Sequence, residues 1–236
     1  MDSAEKKNIL VVDDDREIVR AIALNLESEG YTVFKAYDGM EALDLAMTKD
    51  IHLIIIDVMM PRLDGLSAIM KIREKKNLPI IVLSAKSENS DKVIGLSMGA
   101  DDYITKPFGP AELVARVDAL HRRVTMFSAK PMENPDEVRS GPFVLNERSR
   151  TLTKNGKNID LTQVEFQIME CFMKNPNVAL ERNSILSKVW GENYFGDVKI
   201  VDVNIRRLRM KIEDEPSNPK YLTTVWGFGY KWSVPE

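Results

Sequence analysis

Five polar residues in the first half of the chain each end or closely follow a short apolar run. The runs are rich in valine, isoleucine and leucine, and the polar residues are Asp13 and Asp14, Asp57, Ser84 and Lys106. Apolar runs of this length are typical of strands buried on both faces of a parallel sheet. The carboxyl ends of such strands meet at one edge of the sheet, where binding sites form. The pattern therefore predicts one site with three carboxylates, a hydroxyl and an ammonium group.

This set of side chains is suited to the transfer of a phosphoryl group. Three neighbouring carboxylates repel one another unless a hard divalent cation lies between them, and Mg²⁺ is the simplest candidate. Asp57 is then the candidate nucleophile that forms an aspartyl phosphate, while Lys106 and Ser84 offer a positive charge and a hydrogen bond to the phosphoryl oxygens. The alternative is that acids at strand ends cap neighbouring helices, which explains single members of the set better than all five.

Strand-like and helix-like segments alternate strictly through this half of the chain. Such alternation predicts a parallel α/β sheet covered by helices. Strands are predicted at residues 9–13, 31–36, 52–57, 79–84 and 103–105, and helices at residues 17–29, 39–48, 65–75, 92–98 and 110–122. The sequence contains neither G-x-G-x-x-G nor a Walker lysine motif, so a nucleotide site is not expected.

The composition is ordinary for a globular protein. Hydrophobic residues make up 44% of the 236 residues and charged residues 29%, as in soluble domains. No apolar run approaches the roughly 18 residues of a membrane span, and the polar N-terminus does not resemble a signal peptide, so a cytoplasmic location is expected. The single cysteine, Cys171, is predicted to be a core thiol. With only His52 and His121 besides, a zinc site is not expected.

A change of composition divides the chain into two parts. Helical periodicity lapses from Met126 to Ser140, where two prolines, small residues and mixed charges are typical of an exposed linker. We expect a first domain at residues 1–124, a linker at residues 125–140 and a second domain at residues 141–236. A chain of this length can form two separate cores.

The second domain begins with short strands and continues with helices. Strands are predicted at residues 143–145, 150–154 and 157–160, followed by helices ending at Met173, at residues 182–189 and at residues 199–214. Thr162 and Glu165 have the spacing of a capping box at the start of the first of these helices. The chain then ends in two aromatic and β-branched runs around a Gly-Phe-Gly turn, which predicts a terminal hairpin.

The helix predicted at residues 199–214 carries a local positive charge. Five basic residues stand against one acid in residues 199–211, whereas residues 141–236 hold 14 Lys and Arg against 12 Asp and Glu, a net charge of only +2. On a helical wheel the apolar residues share one face, and the polar candidates lie on its flanks: Asn204, Arg207 and Lys211 on one, Arg206 and Arg209 on the other. The pattern indicates a helix for the major groove of DNA, with a solvated basic surface helix as the alternative.

The aromatic residues of the terminal hairpin are interpreted first as packing residues. Trp226 and Tyr230 in such a hairpin belong more often to a core than to a platform on which bases stack. Trp226 lies at the expected hairpin tip, where it could still reach the DNA backbone or minor groove. It is therefore kept as a candidate DNA contact.

The segments ILVVDDD, IIIDVMMP, IIVLSAK and ADDYITKPF resemble the receiver domain of bacterial two-component response regulators, over residues 6 to about 124. The resemblance implies a flavodoxin-like (βα)5 fold with a parallel sheet, in which Asp57 accepts a phosphoryl group. It also implies that Asp14 binds Mg²⁺ directly, that Asp13 does so through water, and that the backbone carbonyl of Met59 is a further ligand.

The same resemblance implies roles for the residues after the fourth and fifth strands. Lys106 contacts the phosphoryl group, and the Lys106–Pro107 peptide bond is cis, an isomer that proline makes accessible at about 0.5–1 kcal/mol. Ser84 and Tyr103 form the switch. Phosphorylation moves them inward and favours a dimer through the face of the fourth helix, fifth strand and fifth helix.

Three ion pairs are implied across the two-fold axis of that dimer. The pairs are Lys92 with Glu112, Asp102 with Arg116, and Asp101 with Arg123. Because surface ion pairs contribute only about 0–1 kcal/mol each, these pairs are expected to set the register of the dimer more than its affinity.

The segments LTQVEFQIMECF, VDVNIRRLRMKI and TVWGFGY resemble the winged helix-turn-helix effector domain of the OmpR/PhoB subfamily, over residues 142–234. The resemblance implies an α+β domain with a recognition helix in the major groove and a wing in the minor groove. Asn204, Arg206, Arg207 and Arg209 match base-reading and phosphate-contacting positions, with their individual roles left open. The family often has arginine where this chain has Trp226, so an arginine contact in the minor groove is not expected.

The expected function is a phosphorylation-activated transcriptional regulator rather than an enzyme. Its expected partners are a sensor histidine kinase, double-stranded DNA with repeated half-sites, a second copy of the chain and RNA polymerase, but no membrane. One alternative is a DNA-binding regulator that works without phosphate. The other is an aspartyl-phosphate phosphatase, which is disfavoured because Met59 occupies the position at which the haloacid dehalogenase type has a second acid.

Overall fold

The computed structural model describes residues 7–85, 99–125, 137–192, 194 and 196–234; the side chains of Ala85 and residues 121–125 are not among the described parts. The chain divides into two compact units between His121 and Arg122. Each unit is described by itself. Among the described residues, no helix is both long enough and apolar enough to cross a lipid bilayer.

The first unit is a parallel sheet covered by helices, as the alternation of the sequence predicts. Its strands, in the order β2-β1-β3-β4-β5, are β1 Asn8–Val12, β2 Thr32–Ala36, β3 Leu53–Asp57, β4 Ile80–Ala85 and β5 Asp102–Lys106. Its described helices are α1 Arg16–Ser28, α2 Gly39–Thr48, α3 Gly65–Arg73 and α4 Pro110–Thr125. The helix predicted at residues 92–98 lies outside the described residues.

The order of the strands places a crevice at the carboxyl end of the sheet. From β1 the chain crosses to the edge strand β2 and then returns to β3 on the other side of β1. In open α/β sheets a ligand binds where the strand order reverses in this way. The carboxyl ends of β1 and β3 border this crevice, and they lead into Asp13 and Asp57.

The helices of this unit are fixed by apolar faces and by acidic caps. Four residues of α1 are buried against the sheet: Val19, Ile22, Ala23 and Leu26. The N-caps of α1, α2 and α3 are Asp15, Asp38 and Asp64, whose carboxylates accept backbone N–H groups. Caps of this type each contribute about 1 kcal/mol. Since these three acids supply the caps, capping does not account for Asp13, Asp14 and Asp57.

The second unit is an α+β domain with two antiparallel sheets. The first sheet comprises β6 Glu137–Ser140, β7 Phe143–Asn146, β8 Thr151–Lys154 and β9 Lys157–Ile159 in sequence order. The second has the order β10-β12-β11 and comprises β10 Ala179–Glu181, β11 Leu222–Val225 and β12 Gly229–Trp232. The helices are α5 Gln163–Met173, α6 Arg182–Trp190 and α7 Lys199–Ile212, and β11 with β12 forms the wing of a winged helix-turn-helix domain.

The second domain begins earlier than its sequence predicts. Residues 137–140, assigned to the linker, form β6 and pair antiparallel with β7, with Ser140 opposite Phe143. The short strand β10, absent from the prediction, pairs with β12. Both strands are only three or four residues long and have no clear alternation of their own, so their conformation follows from their pairing partners.

The core of this unit joins the first sheet to the wing. Phe143 of β7 packs edge-on against Tyr221 and Trp232, with ring centroids 4.9 and 5.1 Å apart. The predicted capping box of α5 is present: Thr162 Oγ1 accepts from Glu165 N–H, and the Glu165 carboxylate accepts from Thr162 N–H at 2.8 Å. Cys171 is partly buried on this helix, and burial raises the pKa of its thiol.

Candidate functional site

Three acidic side chains converge at the carboxyl end of the parallel sheet. One oxygen from each of Asp13, Asp14 and Asp57 lies within 4.8 Å of the others. Asp13 and Asp57 are buried, whereas Asp14 is exposed at the mouth of the crevice. Because oxygen donors at this spacing suit a hard divalent cation, the donor set fits Mg²⁺.

Lys106, at the end of β5, lies against the same carboxylates. Its ammonium is 2.6 Å from Asp13 Oδ2 and 3.2 Å from Asp57 Oδ2. Burial raises the pKa of Asp57, although the Lys106 charge opposes that effect. Burial alone would lower the pKa of Lys106, but the hydrogen bond to Asp13 and the charges of Asp57 and Asp13 outweigh it and raise that pKa. The lysine therefore stays charged and partly neutralises the acidic cluster.

Ser84 is placed so that an oxygen-rich ligand would complete its hydrogen bonding. Its hydroxyl is buried near the end of β4, next to β3, and has no hydrogen-bond partner in the described part of the chain. Leu83 is the register partner of Asp57. A buried hydroxyl left without a partner is unfavourable by about 1–3 kcal/mol, so its retention favours a ligand at this position.

The remaining receiver candidates surround the cluster. Tyr103 of β5 is already buried, and the peptide bond between Lys106 and Pro107 is cis. Met59 lies two residues after Asp57 and is 73% exposed. The predicted coordination by the Met59 backbone carbonyl stays a prediction.

Gly65 is a site residue that the sequence analysis did not identify. It begins α3, and its N–H donates to the Val58 carbonyl at 3.0 Å. A Cβ atom at this position would overlap the backbone carbonyl oxygen of Asp57. The absence of a side chain therefore lets α3 begin directly against the end of β3 at Asp57, and nothing in the local sequence marks that contact.

The predicted DNA contact by Asn204 is wrong in this structure. Asn204 is fully buried, and its amide donates to the Ile200 carbonyl one turn earlier in α7 at 2.9 Å. The helical wheel placed Asn204 away from the apolar face, and this position was taken as exposed. A wheel shows which residues share a face but not which faces are covered by other helices. The packing of α5 against α7 determines which face is covered.

Arg207 and Lys211 on the same flank are bound to a buried acid of α5. Arg207 Nη2 is 3.1 Å from Glu165 Oε1, and Lys211 Nζ is 2.7 Å from Glu165 Oε2. Glu165 is fully buried, and although burial alone would raise its pKa, the two cations hold that pKa below its usual value. A DNA contact by Arg207 would require this ion pair to break, and one by Lys211 stays a prediction.

The exposed face of α7 is centred on Arg206. Its exposed members are Lys199, Arg206 and Met210, with Asp202 and Arg209 partly exposed beside them. Arg209 joins the helix to the wing, because its Nε donates to the Leu222 carbonyl at 2.8 Å and its Nη2 to Thr224 Oγ1 at 2.9 Å. Contacts of Arg206 and Arg209 with DNA stay predictions.

Asp202 holds the wing and the preceding helix together. Its carboxylate accepts from Tyr230 Oη at 2.6 Å and from Arg182 Nε at 2.8 Å. Burial and this hydrogen bond raise the pKa of Tyr230 to about 12, so the phenol remains a donor. The one acid of the recognition helix is therefore a structural link, which its isolated position in a basic helix did not reveal.

The packing interpretation of the terminal hairpin is right for Tyr230 and wrong for Trp226. Tyr230 is buried, whereas Trp226 is 91% exposed at the turn between β11 and β12. The difference follows from the strand pairing: Val225 lies opposite Gly229, so residues 226–228 form the turn and project beyond the sheet.

The predicted dimer residues that the structure describes are paired within the receiver. Asp102 and Arg116 are both buried, with Arg116 Nη1 3.1 Å from Asp102 Oδ1. Arg116 also contacts Glu112 at 2.8 Å, and Asp101 is buried against Arg73 at 2.5 Å. Asp101 and Asp102 are therefore buried within one receiver in this structure, and the pairs across a dimer axis stay predictions. Lys92 and the Arg123 side chain lie outside the described parts.

An acidic cluster with a lysine at the switch point of a five-stranded parallel α/β sheet, followed by a winged helix-turn-helix domain, defines the class of two-domain response regulators. Two family models match the chain. The response regulator receiver domain matches residues 9–118, and the transcriptional regulatory protein C-terminal domain matches residues 156–232. The chain belongs to the two-component response regulators of the OmpR/PhoB type.

Several solved structures are similar to this chain. A RitR mutant is 26% identical with a TM-score of 0.75, over 96% of this chain and 98% of that chain. The response regulator DrrB, a Thermotoga maritima OmpR/PhoB homolog, is 29% identical with a TM-score of 0.50, over 98% of this chain and 100% of its own. A Francisella response regulator receiver domain is 42% identical with a TM-score of 0.49, over 51% of this chain and 100% of its own.

Proposed function

We propose that this regulator is switched by phosphorylation of Asp57 and that the switched form binds promoter DNA as a dimer. The observation that carries the proposal is the convergence of Asp13, Asp14 and Asp57 within 4.8 Å, with the Lys106 ammonium against two of them. A change of charge at such a cluster is one means by which an attached DNA-binding domain is switched. A sensor histidine kinase is the proposed donor of the phosphoryl group, and a cytoplasmic location follows.

The donor set fits a magnesium cofactor. Asp14, Asp57 and the backbone carbonyl of Met59 would bind the ion directly, with Asp13 bound through water. When bound, Mg²⁺ neutralises charge on the carboxylates and on the phosphoryl oxygens. The exposed position of Asp14 gives such an ion access from solvent.

Asp57 supplies the nucleophilic oxygen of the transfer. One carboxylate oxygen, Oδ1, accepts the Val58 N–H at 3.0 Å, which orients the carboxyl group in the crevice. The Oδ2 atom faces Lys106. As a bond forms between Asp57 and phosphorus, the bond between phosphorus and the histidine nitrogen of the kinase breaks. The Lys106 ammonium then neutralises phosphoryl charge, and the Ser84 hydroxyl gains a hydrogen-bond acceptor.

The DNA-binding half contributes a basic helix and a wing fixed to it. Arg206 is exposed at the centre of the free face of α7, and the wing is bound to the same helix through Arg209 and Asp202. This arrangement suits a helix inserted in the major groove with the wing beside it. In this proposal two copies of the chain bind repeated half-sites, and RNA polymerase is a further partner.

The decisive experiment is light scattering after gel filtration on the full chain with Mg²⁺, with and without beryllofluoride as a phosphoryl mimic. Wild type is expected to convert from monomer to dimer, and Asp57→Ala is expected to remain monomeric. Asp64→Ala is the matched control, because it removes a neighbouring carboxylate that only caps α3, and it should dimerise like wild type.

Two outcomes count against the proposal. If wild type and Asp57→Ala behave alike, the acidic cluster is not the switch, and a regulator that works without phosphate explains the chain better. If Asp57→Ala retains full activation of DNA binding by a phosphorylated kinase, the phosphoacceptor lies elsewhere.

A further inference from the structure

We propose that Trp226 is the minor-groove residue of this regulator, contacting DNA through an uncharged indole that packs against the sugar walls of the groove. The inference rests on the proposed DNA-binding function and specifies how the wing makes its contact. It predicts that the contribution of the wing to affinity is insensitive to salt and depends on the base pairs that line the groove.

The exposure of Trp226 is the first observation. The chain has three tryptophans, of which Trp190 and Trp232 are buried in the core of the second unit, while Trp226 is 91% exposed. The adjacent Phe228 is also exposed. Large exposed aromatic residues of this kind are typical of interaction sites, because an amphipathic ring in water is unfavourable until a partner covers it.

The second observation is that the turn carrying Trp226 is well defined. Gly227 has a φ of +71°, a left-handed conformation that residues with a side chain rarely adopt, and Phe228 N–H donates to the Val225 carbonyl at 3.1 Å. A turn that needs a positive φ at its third residue takes glycine there, so Gly227 and this hydrogen bond together close the turn from Val225 to Phe228. The indole therefore projects from a fixed tip rather than from a long loop.

The third observation is that the wing is bound to the recognition helix through both of its strands. Arg209 donates to Leu222 and Thr224 of β11, and Asp202 accepts from Tyr230 of β12. Placing α7 in the major groove therefore carries the wing tip with it, toward the neighbouring minor groove. Trp226 therefore contacts DNA rather than a second copy of the chain.

The chemistry of an indole differs from that of a cation in the same groove. A cation displaces condensed counterions, which makes its contribution dependent on salt. An indole displaces none; it covers the C–H surfaces of the sugars, and its Nε1–H can donate to the adenine N3 and thymine O2 acceptors. The amino group of guanine obstructs that position, so A·T pairs are expected beneath the wing.

The first test compares the salt dependence of DNA binding. The full chain, activated with beryllofluoride, is titrated by fluorescence anisotropy with duplexes recovered from a random-sequence library by the wild-type protein. Trp226→Ala is expected to weaken binding by about tenfold, toward the low end of the loss seen when an aromatic contact with nucleic acid is removed, with the slope of log affinity against log salt unchanged. Arg206→Ala should instead reduce that slope by about 1.

Two further variants complete this test. Trp226→Arg is expected to recover affinity at low salt with a slope steeper by about 1. Val178→Ala removes an exposed apolar side chain beside the end of β10 away from the hairpin tip and should bind like wild type. A smaller salt slope in Trp226→Ala, or unchanged affinity, overturns the proposal.

The second test uses the indole itself as the reporter. Because the other two tryptophans are buried, DNA binding is expected to protect only Trp226 from quenching by acrylamide, and Trp226→Phe should lose that change. Protection by beryllofluoride alone would assign Trp226 to an interface between copies and overturn the proposal. If anisotropy detects DNA binding but Trp226 is not protected from acrylamide, only the inference about Trp226 is overturned. If the protein binds no duplex, the proposed function is overturned as well.

Discussion

Arg116 and Asp102 form an ion pair inside one receiver, with Arg116 Nη1 3.1 Å from Asp102 Oδ1 and both side chains buried. The family resemblance implies the same two residues as partners across a dimer axis. Arg116 also binds Glu112, and Asp102 also accepts the Tyr103 N–H at 2.7 Å. Asp102 is thus bonded both to the helix that carries Arg116 and to the backbone of Tyr103, a predicted switch residue.

Arg116→Ala is expected to destabilise the receiver of the monomer by about 3 kcal/mol, because it leaves the Asp102 carboxylate buried without its cation. Urea unfolding followed by far-ultraviolet circular dichroism measures the effect. All three tryptophans lie in the second unit, so the transition followed by tryptophan fluorescence is an internal control that should not move. If the urea midpoint of the receiver is unchanged, Arg116 does not stabilise the monomer, and its role is confined to contacts between two copies.

Gly65→Ala is expected to impair phosphorylation of Asp57, because a methyl group at this position overlaps the Asp57 carbonyl and displaces either α3 or the phosphoacceptor. The incorporation of phosphate from acetyl phosphate measures the effect. Gly109→Ala is the matched control, since a Cβ atom there meets no other atom within 4 Å. Equal phosphorylation of the two variants would mean that the backbone from Asp57 to Gly65 shifts enough to accommodate the methyl group without disturbing the reaction.

The strands of the receiver could be predicted from sequence to within one residue at each end, and the reason is physical. Its strands are buried on both faces, so each is a continuous apolar run whose end marks a site residue. Asp57 and Ser84 are recognisable in this way. The contact of Gly65 with Asp57 is different, because it depends on the angle at which α3 meets the sheet, which no local pattern encodes.

The DNA-binding face was less predictable for a related reason. A basic amphipathic helix has two flanks beside its apolar face, and sequence alone does not show which flank the rest of the domain covers. Glu165 of α5 covers the flank with Arg207, leaving Arg206 exposed. The capping-box position of Glu165 was evident from its spacing to Thr162, but its second role as a buried counter-ion requires the tertiary packing of α5 on α7.

The lifetime of the phosphoryl group is expected to depend on Met59. Met59 is exposed two residues after Asp57. If its apolar side chain covers an aspartyl phosphate, it shields that group from water, and we expect a lifetime of minutes or longer. Met59→Asn should accelerate autodephosphorylation because a polar side chain can orient an attacking water. Met70→Asn, at an exposed methionine of α3, is the control. Equal decay rates of the two variants, measured on gels that resolve the phosphorylated form, would contradict this role.

Glu165 is expected to make the stability of the second unit depend on pH. Its folded-state pKa lies below the usual value, because Arg207 and Lys211 outweigh the effect of burial. For an acid with a lowered pKa, the stabilisation is complete above the unfolded-state pKa of about 4.3 and is lost as the pH falls toward the folded-state value. The free energy of unfolding of the second unit, measured by tryptophan fluorescence, should therefore fall as the pH is lowered below about 4.3.

Glu165→Gln separates this effect from the titration of other carboxylates. At neutral pH the variant should lose about 3 kcal/mol, because two partly buried cations lose their counter-ion. Below the folded-state pKa of Glu165 the wild-type side chain is also neutral, so the difference between the two proteins should shrink as the pH falls. A difference that stays constant down to acidic pH would mean that the ion pairs with Arg207 and Lys211 do not stabilise the domain and that Glu165 acts through its capping hydrogen bonds alone.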